Sequence, residues 1–294
     1  MRSLVVAFAL AACSSSPDKP AQVEPPSAPP AARVEIASLI SDDAVGVMRA
    51  TGADAPIVSF LTSLQQGSAP ACWTSLVGKI QAAYQIELPA RTSYFVFEGD
   101  LPRPEVERCV VEAMARAVPT TVRTEGELAV FDAGQLGTTY AGWRAHAVVA
   151  GSRDQVMAAL AGPKETTRWR PRLAALPAGV PIAAWRQDAL LSLLFGVETS
   201  SYVFVIDKLA KPSFDARIIA TYKTPADAAI AARRIKQGET HTAAAPPPAL
   251  VEAFQRFQVA QDGPVVTIGF GLATFGGMSL DELQAWIANL PTSR

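Results

Sequence analysis

Histidine is nearly missing from this chain of 294 residues: His146 and His241 are the only two. An imidazole metal site needs several at short spacing, and a Ser–His or Cys–His pair needs one beside its nucleophile. Neither histidine belongs to a His-x-x-x-His or His-Glu-x-x-His pattern. His146 lies in the strand-like run Trp143 to Ala150 and His241 in the polar loop Gln237 to Ala245, so both read as structural residues. Cysteine is scarce, with three in all and no Cys-x-x-Cys pair, which argues against a redox or zinc motif. Charge is sparse too. Charged residues make up 18% and the net charge is −1, whereas a nucleic-acid surface normally carries a basic excess.

Long apolar runs are also lacking. The richest segment, Ala174 to Phe195, is broken by Pro177, Pro181, Arg186, Gln187 and Asp188, so it reads as a core strand and helix rather than a membrane span. No Gly-x-Ser-x-Gly elbow occurs, and Ser152 after Gly151 reads as a helix cap. Gly269-Phe270-Gly271 with Gly276-Gly277 superficially suggests a phosphate loop, but Thr274 takes the sixth position and no Gly-Lys-Ser/Thr follows. Glu98, Asp100, Glu125 and Asp132 are the candidates for a glycosidase-type carboxylate pair, and all are ordinary strand-end or turn residues. The expectation is therefore no catalytic residue, no metal and no cofactor.

What the chain does have is core-forming material, 49% hydrophobic residues. Strands are expected at Val45–Ala50, Ser93–Glu98, Thr120–Thr124, Leu128–Asp132 and near Ala145–Ala150. Helices are expected at Ile57–Leu64 and at Cys72–Tyr84, where Trp73, Leu76, Val77, Ile80 and Tyr84 recur at helical spacing. Further helices open at Pro104 and after Ser152, the latter with Gln155 three residues on. A similar order follows: strand Pro181–Arg186, helix Asp188–Phe195, strands Tyr202–Asp207 and Phe214–Tyr222. Thr224-Pro225-Ala226-Asp227 opens a helix that Gly238 ends. A short helix at Ala249–Phe254 precedes strands Phe257–Ala260 and Val265–Phe270. A last helix, capped by Ser279 and Glu282, is stopped by Pro291.

The two halves share local likenesses. Thr92–Phe97 resembles Ser200–Val205, and Val45–Arg49 sits where Ile182–Arg186 sits. The expected class is α+β: two similar modules, each an antiparallel sheet with helices packed on one face. The first spans 38–163 and the second 175–294. The segment 164–174, with Arg168, Trp169, Arg170 and Arg172, reads as a solvated linker. The other reading is a basic patch for lipid phosphates or an acidic partner. Pro246-Pro247-Pro248 reads as a loop break before a helix.

Cys13 closes the run Leu10-Ala11-Ala12-Cys13, behind a single Arg2 and the apolar stretch Leu4–Leu10. This resembles the lipobox of bacterial lipoproteins, with residues 1–12 as signal peptide. The resemblance implies cleavage before Cys13 and acylation of its thiol and freed amine, two or more chains being needed to hold a protein stably at a bilayer. Residues 13–37 then form a lipidated, Pro-rich tether. Over 14–32 it could reach roughly 60 Å if extended as polyproline. In such families Ser14 after the cysteine suggests the outer membrane, the protein facing the periplasm or the cell surface. Setting Cys13 aside leaves Cys72 and Cys109, an even remainder that reads as one disulfide in an oxidising compartment. The general pattern resembles envelope lipoproteins with duplicated α+β modules. Outer-membrane lipid, through Cys13, and an envelope protein are the expected partners. The expected role is non-enzymatic partner binding or structural support. An apolar or small-ligand-binding lipoprotein is the alternative, motivated by aromatic strands Tyr94–Phe97 and Tyr202–Phe204, and a cell-wall hydrolase the weaker one.

Overall fold

The computed structural model describes residues 35–51, 71–89, 92–115, 118–162, 168–187, 190–210, 213–240, 248–271 and 274. The expected helices at 57–64 and 279–290 lie outside these residues, as do Cys13 and His241. The fold is α+β, and every strand pair described is antiparallel. The chain divides into two units, one reaching to Ala44 and resuming at Gly52–Pro171, the other holding Val45–Thr51 and the chain from Arg172 onward. Strand β1 (Gly46–Thr51) thus groups with the second unit although it precedes most of the first.

The first unit begins with a short 3-10 turn, Ile36–Leu39. Then come α1 (Ala71–Gly78), β2 (Ile80–Glu87), β3 (Ser93–Gly99) and α2 (Arg103–Met114). The hairpin β4 (Thr121–Glu125) and β5 (Leu128–Asp132) follows, then β6 (Thr138–Arg144), β7 (Ala147–Gly151) and α3 (Arg153–Ala161). Its strands lie in the order β2-β3-β7-β6-β5-β4.

The Cys72–Tyr84 helix of the sequence reading breaks in two. The chain leaves α1 at Gly78 and enters β2 at Ile80. The physical reason is a shared spacing. Ile80 and Tyr84 are four apart, which suits a helix turn, but Ile80, Ala82, Tyr84 and Ile86 also alternate with period two. Pairing with β3 decides for the strand, from Ile80↔Gly99 to Glu87↔Ser93. Strand β6 was not expected, and Gly142 in its middle hides it. A Cβ there would stand 2.4 Å from Leu160 Cδ1 and 3.0 Å from Leu128 Cδ2, so the glycine lets α3 sit down on the sheet.

Helices cover both faces of this sheet, which corrects the one-face expectation. On one side α1 and α2 bury Leu76, Val106 and Cys109 against Ala129, Phe131, Ala141 and Val148. On the other, α3 packs on β6 and β7, with Val156 and Ala159 buried. The residues alternate accordingly. Both sheet faces are apolar, a pattern that a one-sided amphipathic reading of the strands misses.

Within the segment expected as a solvated linker, residues 168–174 are helical rather than extended. Helix α4 (Trp169–Ala174) straddles the division between units, and Trp169 is fully buried. Its indole donates to the Ser41 carbonyl at 3.2 Å, and the Arg168 guanidinium donates to the Asp42 carbonyl. An indole of this size gains far more by burial than a linker position would give it.

The second unit adds β8 (Ile182–Arg186), α5 (Leu190–Phe195), β9 (Thr199–Ala210), β10 (Ser213–Tyr222), α6 (Pro225–Gln237), α7 (Pro248–Gln255), β11 (Gln258–Asp262) and β12 (Val265–Gly271). Its strand order is β11-β12-β10-β9-β8-β1. Helix α6 forms as its start and stop signals dictate. The Thr224 hydroxyl accepts from the Asp227 N–H at 3.1 Å, Pro225 takes the first turn, and Gly238 ends the helix in the left-handed conformation at φ 69°. Leu191, Leu194 and Phe195 of α5, Ala228, Ala231 and Ile235 of α6, and Phe254 of α7 close over Ala220, Tyr222, Val266 and Ile268.

Candidate functional site

The helix side of the second unit's sheet takes Ile218, Ala220 and Tyr222 from β10 and Val266 and Ile268 from β12. Alternation then sends their neighbours to the opposite side. One register row crosses it: Val205 on β9 faces Arg217 on β10, Arg217 faces Gly269 on β12, and Gly269 faces Gln258 on β11. This row is crossed by an open groove of about 690 Å³, whose walls include Asp207, Asp215, Arg217, Gln258 and Thr267.

Asp207 reaches the groove by a bulge. Ala216 pairs with Ile206 and Asp215 with Lys208, which leaves Asp207 as the extra residue. The Arg217 guanidinium meets it at 2.9 Å. Both side chains are over a third exposed, so the pair fixes geometry and adds little stability. Gly269 supplies part of the floor. A Cβ there would meet nothing nearer than Gln258 Cβ at 3.6 Å, an ordinary contact, so the packing around it does not demand glycine. The groove offers carboxylate acceptors, a guanidinium donor and an amide that serves as either.

The residues singled out in the sequence fall as follows. Cys72 and Cys109 form a disulfide, their Cα atoms 5.6 Å apart, joining α1 to α2 inside the core. His146 is exposed at the β6–β7 turn, where its carbonyl accepts from the Gly99 N–H at 2.9 Å. Ser152 caps α3 with a reciprocal pair: its hydroxyl accepts from the Gln155 N–H, and the Gln155 side chain accepts from the Ser152 N–H at 2.9 Å. Gly269-Phe270-Gly271 lies within β12. Pro248 is the first residue of α7, while Pro246 and Pro247 lie outside the described residues.

The four carboxylates do not converge. Glu98 accepts from the Tyr84 hydroxyl at 3.3 Å, and Asp100 is exposed beyond β3. Glu125 and Asp132 share Arg123 at 4.0 and 3.9 Å, and Glu125 also meets Arg153 at 2.9 Å. That is a surface charge network on a hairpin. Among the described residues no group of three His, Cys, Asp or Glu side chains is placed to hold a metal ion. The basic segment is spent internally. Arg170 binds Glu35, and its hydrogen bond holds the Glu35 carboxyl below the usual range; Arg172 stacks 4.2 Å over Trp185.

Two buried hydroxyls were not singled out in the sequence. Tyr94 donates to the Leu39 carbonyl and accepts from the Ser41 N–H, both at 2.8 Å, and burial pushes its pKa well up. Tyr222 is 2% exposed in the apolar core, its hydroxyl has no hydrogen-bond partner among the described residues, and burial pushes its pKa up to about 12. Nothing in a lone strand tyrosine marks either role, because partner and burial are both set by distant segments.

No family model matches the chain, and no curated protein matches it. Among solved structures, crystal form I of TP0453 aligns over 87% of this chain and 98% of that one, at 9% identity and a TM-score of 0.51. Crystal form III of TP0453 aligns over 87% and 99% at 11% identity, with a TM-score of 0.49. At such identity the likeness to crystal form I is one of fold: this chain and TP0453 share an overall backbone plan.

Proposed function

We propose that this chain is a lipid-anchored protein of the bacterial envelope, held in the outer membrane through Cys13, which acts by binding a partner rather than by catalysis. The anchor rests on the sequence Leu10-Ala11-Ala12-Cys13 and the Pro-rich stretch behind it. The observation that carries the binding half is the open groove on the second unit's sheet, where Asp207, Arg217 and Gln258 stand around a low glycine floor. Glycine inside a strand commonly marks close approach by another backbone or ligand.

A finer reading belongs to the same proposal: the two units are copies of one module. Support comes from element order. Strand β2 follows α1, pairs with β3, and the helix α2 comes next; β9 follows α5, pairs with β10, and α6 comes next. The hairpin β6–β7 then lies with β7 beside β3, as β11–β12 lies with β12 beside β10. On this scheme β9 answers to β2, so the Thr92–Phe97 likeness to Ser200–Val205 sets β3 against β9, one strand out of step. The sequence adds Ser152-Arg153-Asp154-Gln155 against Ser279-Leu280-Asp281-Glu282.

A second reading, a small or apolar ligand, is favoured by Tyr222. A buried hydroxyl without a partner costs about 1–3 kcal/mol, and a bound ligand could offset that. Membrane fractionation of Cys13→Ala tests the anchor: the protein should move to the soluble fraction, and unchanged membrane retention would sink the lipid-anchor half. A photo-crosslinker at Gln258, on the groove face, tests the binding half: in intact envelopes it should trap a protein, and no trapped protein would count against it. A small molecule that native mass spectrometry finds on the parent and not on Tyr222→Phe would favour the second reading.

A further inference from the structure

Among the described residues strand β11 ends the second unit's sheet, and its residues lie open: Gln258, Ala260, Gln261 and Asp262 are exposed and Val259 is half-buried. Its inner edge is paired with β12 from Gln258↔Gly269 to Asp262↔Val265. An outer strand edge carries main-chain N–H and C=O groups that water or another chain must satisfy. Proteins usually blunt such edges with proline, lysine or a bulge. Gln-Val-Ala-Gln-Asp has neither residue, and its register with β12 runs without a shift. The first unit's sheet, which ends on β4 among the described residues, differs. On β4, Arg123 is tied to Glu125 and Asp132, and Arg103 donates to the Thr124 hydroxyl at 3.1 Å.

Element order shows what fits beside β11. In the first unit the corresponding strand is β6, and its outer edge carries β5, antiparallel, from Ala129↔Ala141 to Asp132↔Thr138. Strand β5 brings Leu128, Ala129, Val130 and Phe131, all buried. In the second unit the described chain between α6 and β11 is helix α7, and no strand among the described residues takes that place. The geometry points to β11 as a docking edge for an extended segment of a partner protein, added antiparallel in the position that β5 holds in the first unit. This rests on the partner-binding reading and its duplicated-module form above.

The segment follows from the edge. It is about five residues long to match β11, and apolar along most of its length, as Leu128-Ala129-Val130-Phe131 of β5 is. One set of its side chains lies on the face of Val259, beside the core under α6 and α7. The other lies on the face of Gln258 and Ala260, at the groove. So short a ladder binds weakly and exchanges quickly.

The probe is a synthetic peptide of the chain's own Glu127–Ala133, with a Val130→Pro version as control, since proline cannot donate to a ladder. Residue-resolved amide hydrogen exchange is read on the full chain carrying Cys13→Ala. The outward amides of 258–262 should exchange fast alone and slow by roughly tenfold or more with the peptide, the control having no such effect. Slow exchange of all five amides in the free protein, no slowing at saturating peptide, or equal slowing by the control would overturn the proposal. Protection that rises with protein concentration alone would replace the partner segment by a second copy of this chain. The Gln258 crosslink in intact envelopes reads partner binding at the groove whatever the peptide does, so failure here is distinct from failure of the partner-binding reading.

Discussion

The two buried tyrosines show how differently one residue type is used. Tyr94 satisfies both sides of its hydroxyl with main-chain groups, while Tyr222 leaves its own without a partner among the described residues. The pH consequence follows from sign. An unfolded tyrosine loses its proton near its ordinary value of 10.0, but Tyr222 in the fold keeps it to about 12. Above pH 10 the unfolded chain therefore binds fewer protons than the folded one, and stability falls as pH rises through that window. Tyr222→Phe removes this contribution, and deleting the unpartnered buried hydroxyl relieves a penalty of about 1–3 kcal/mol at neutral pH. The urea midpoint at neutral pH should be higher in the variant, and its alkaline decline should be shallower. A variant as steep as the parent would show that Tyr222 does not titrate with unfolding. Little of this was legible in the sequence. A tyrosine in an aromatic strand announces burial, but the Leu39 and Ser41 groups that meet Tyr94 are more than fifty residues away.

At the scale of elements, strong local signals were legible and ambiguous ones were not. Thr224, Pro225 and Gly238 fix the ends of α6, and Ser152 with Gln155 fixes the start of α3, because caps act within a few residues. Strand β2 was hidden because its apolar spacing fits both periods, and only β3 decides between them. Strand β6 was hidden by Gly142, which serves the helix above it. That explanation is testable. Gly142→Ala puts a methyl group into Leu160 and Val156, and should destabilise the protein by about 1–3 kcal/mol in chemical denaturation. Substituting a better strand former with no loss would show that α3 does not need the close approach. The basic segment 168–172 reads as linker by composition, yet Trp169 carries it into the core. Trp169→Ala should cost about 3–5 kcal/mol, measured the same way. The groove was the least legible part of all. Asp207, Arg217, Gly269 and Gln258 come from four strands and share no local pattern.

The whole molecule has two units, and the disulfide lies in one of them. In the chain-entropy account a bridge closing a loop of this length stabilises by about 3–4 kcal/mol. Reduction should therefore lower the unfolding midpoint of the first unit and leave that of the second in place, seen as two separated transitions in a thermal scan with and without reductant. One transition shifted as a block would mean that the units unfold together. The α+β class was legible at this scale because strand and helix patterns alternate with hairpin signals. The grouping of β1 was not. Val45–Ala50 reads as an ordinary first strand, and nothing local ties it to residues far downstream.

That grouping sets an order of events during synthesis. The β1–β8 ladder pairs Ala50 with Ile182 and Gly46 with Arg186, closing a loop of more than a hundred residues. The chain emerges from its N-terminus, so the pairing cannot begin until Ile182–Arg186 has been made. Long-range antiparallel ladders of this kind form slowly, because the entropy of the intervening chain is lost before the contacts are gained. The second unit is thus not a contiguous piece of sequence that could be cut out at Arg172 and expected to be whole. Such a fragment would lack the strand that borders β8, leaving Trp185 and its neighbours on a raw margin prone to clumping. Among the described strands, the earliest-made is the one that finishes the last-made unit.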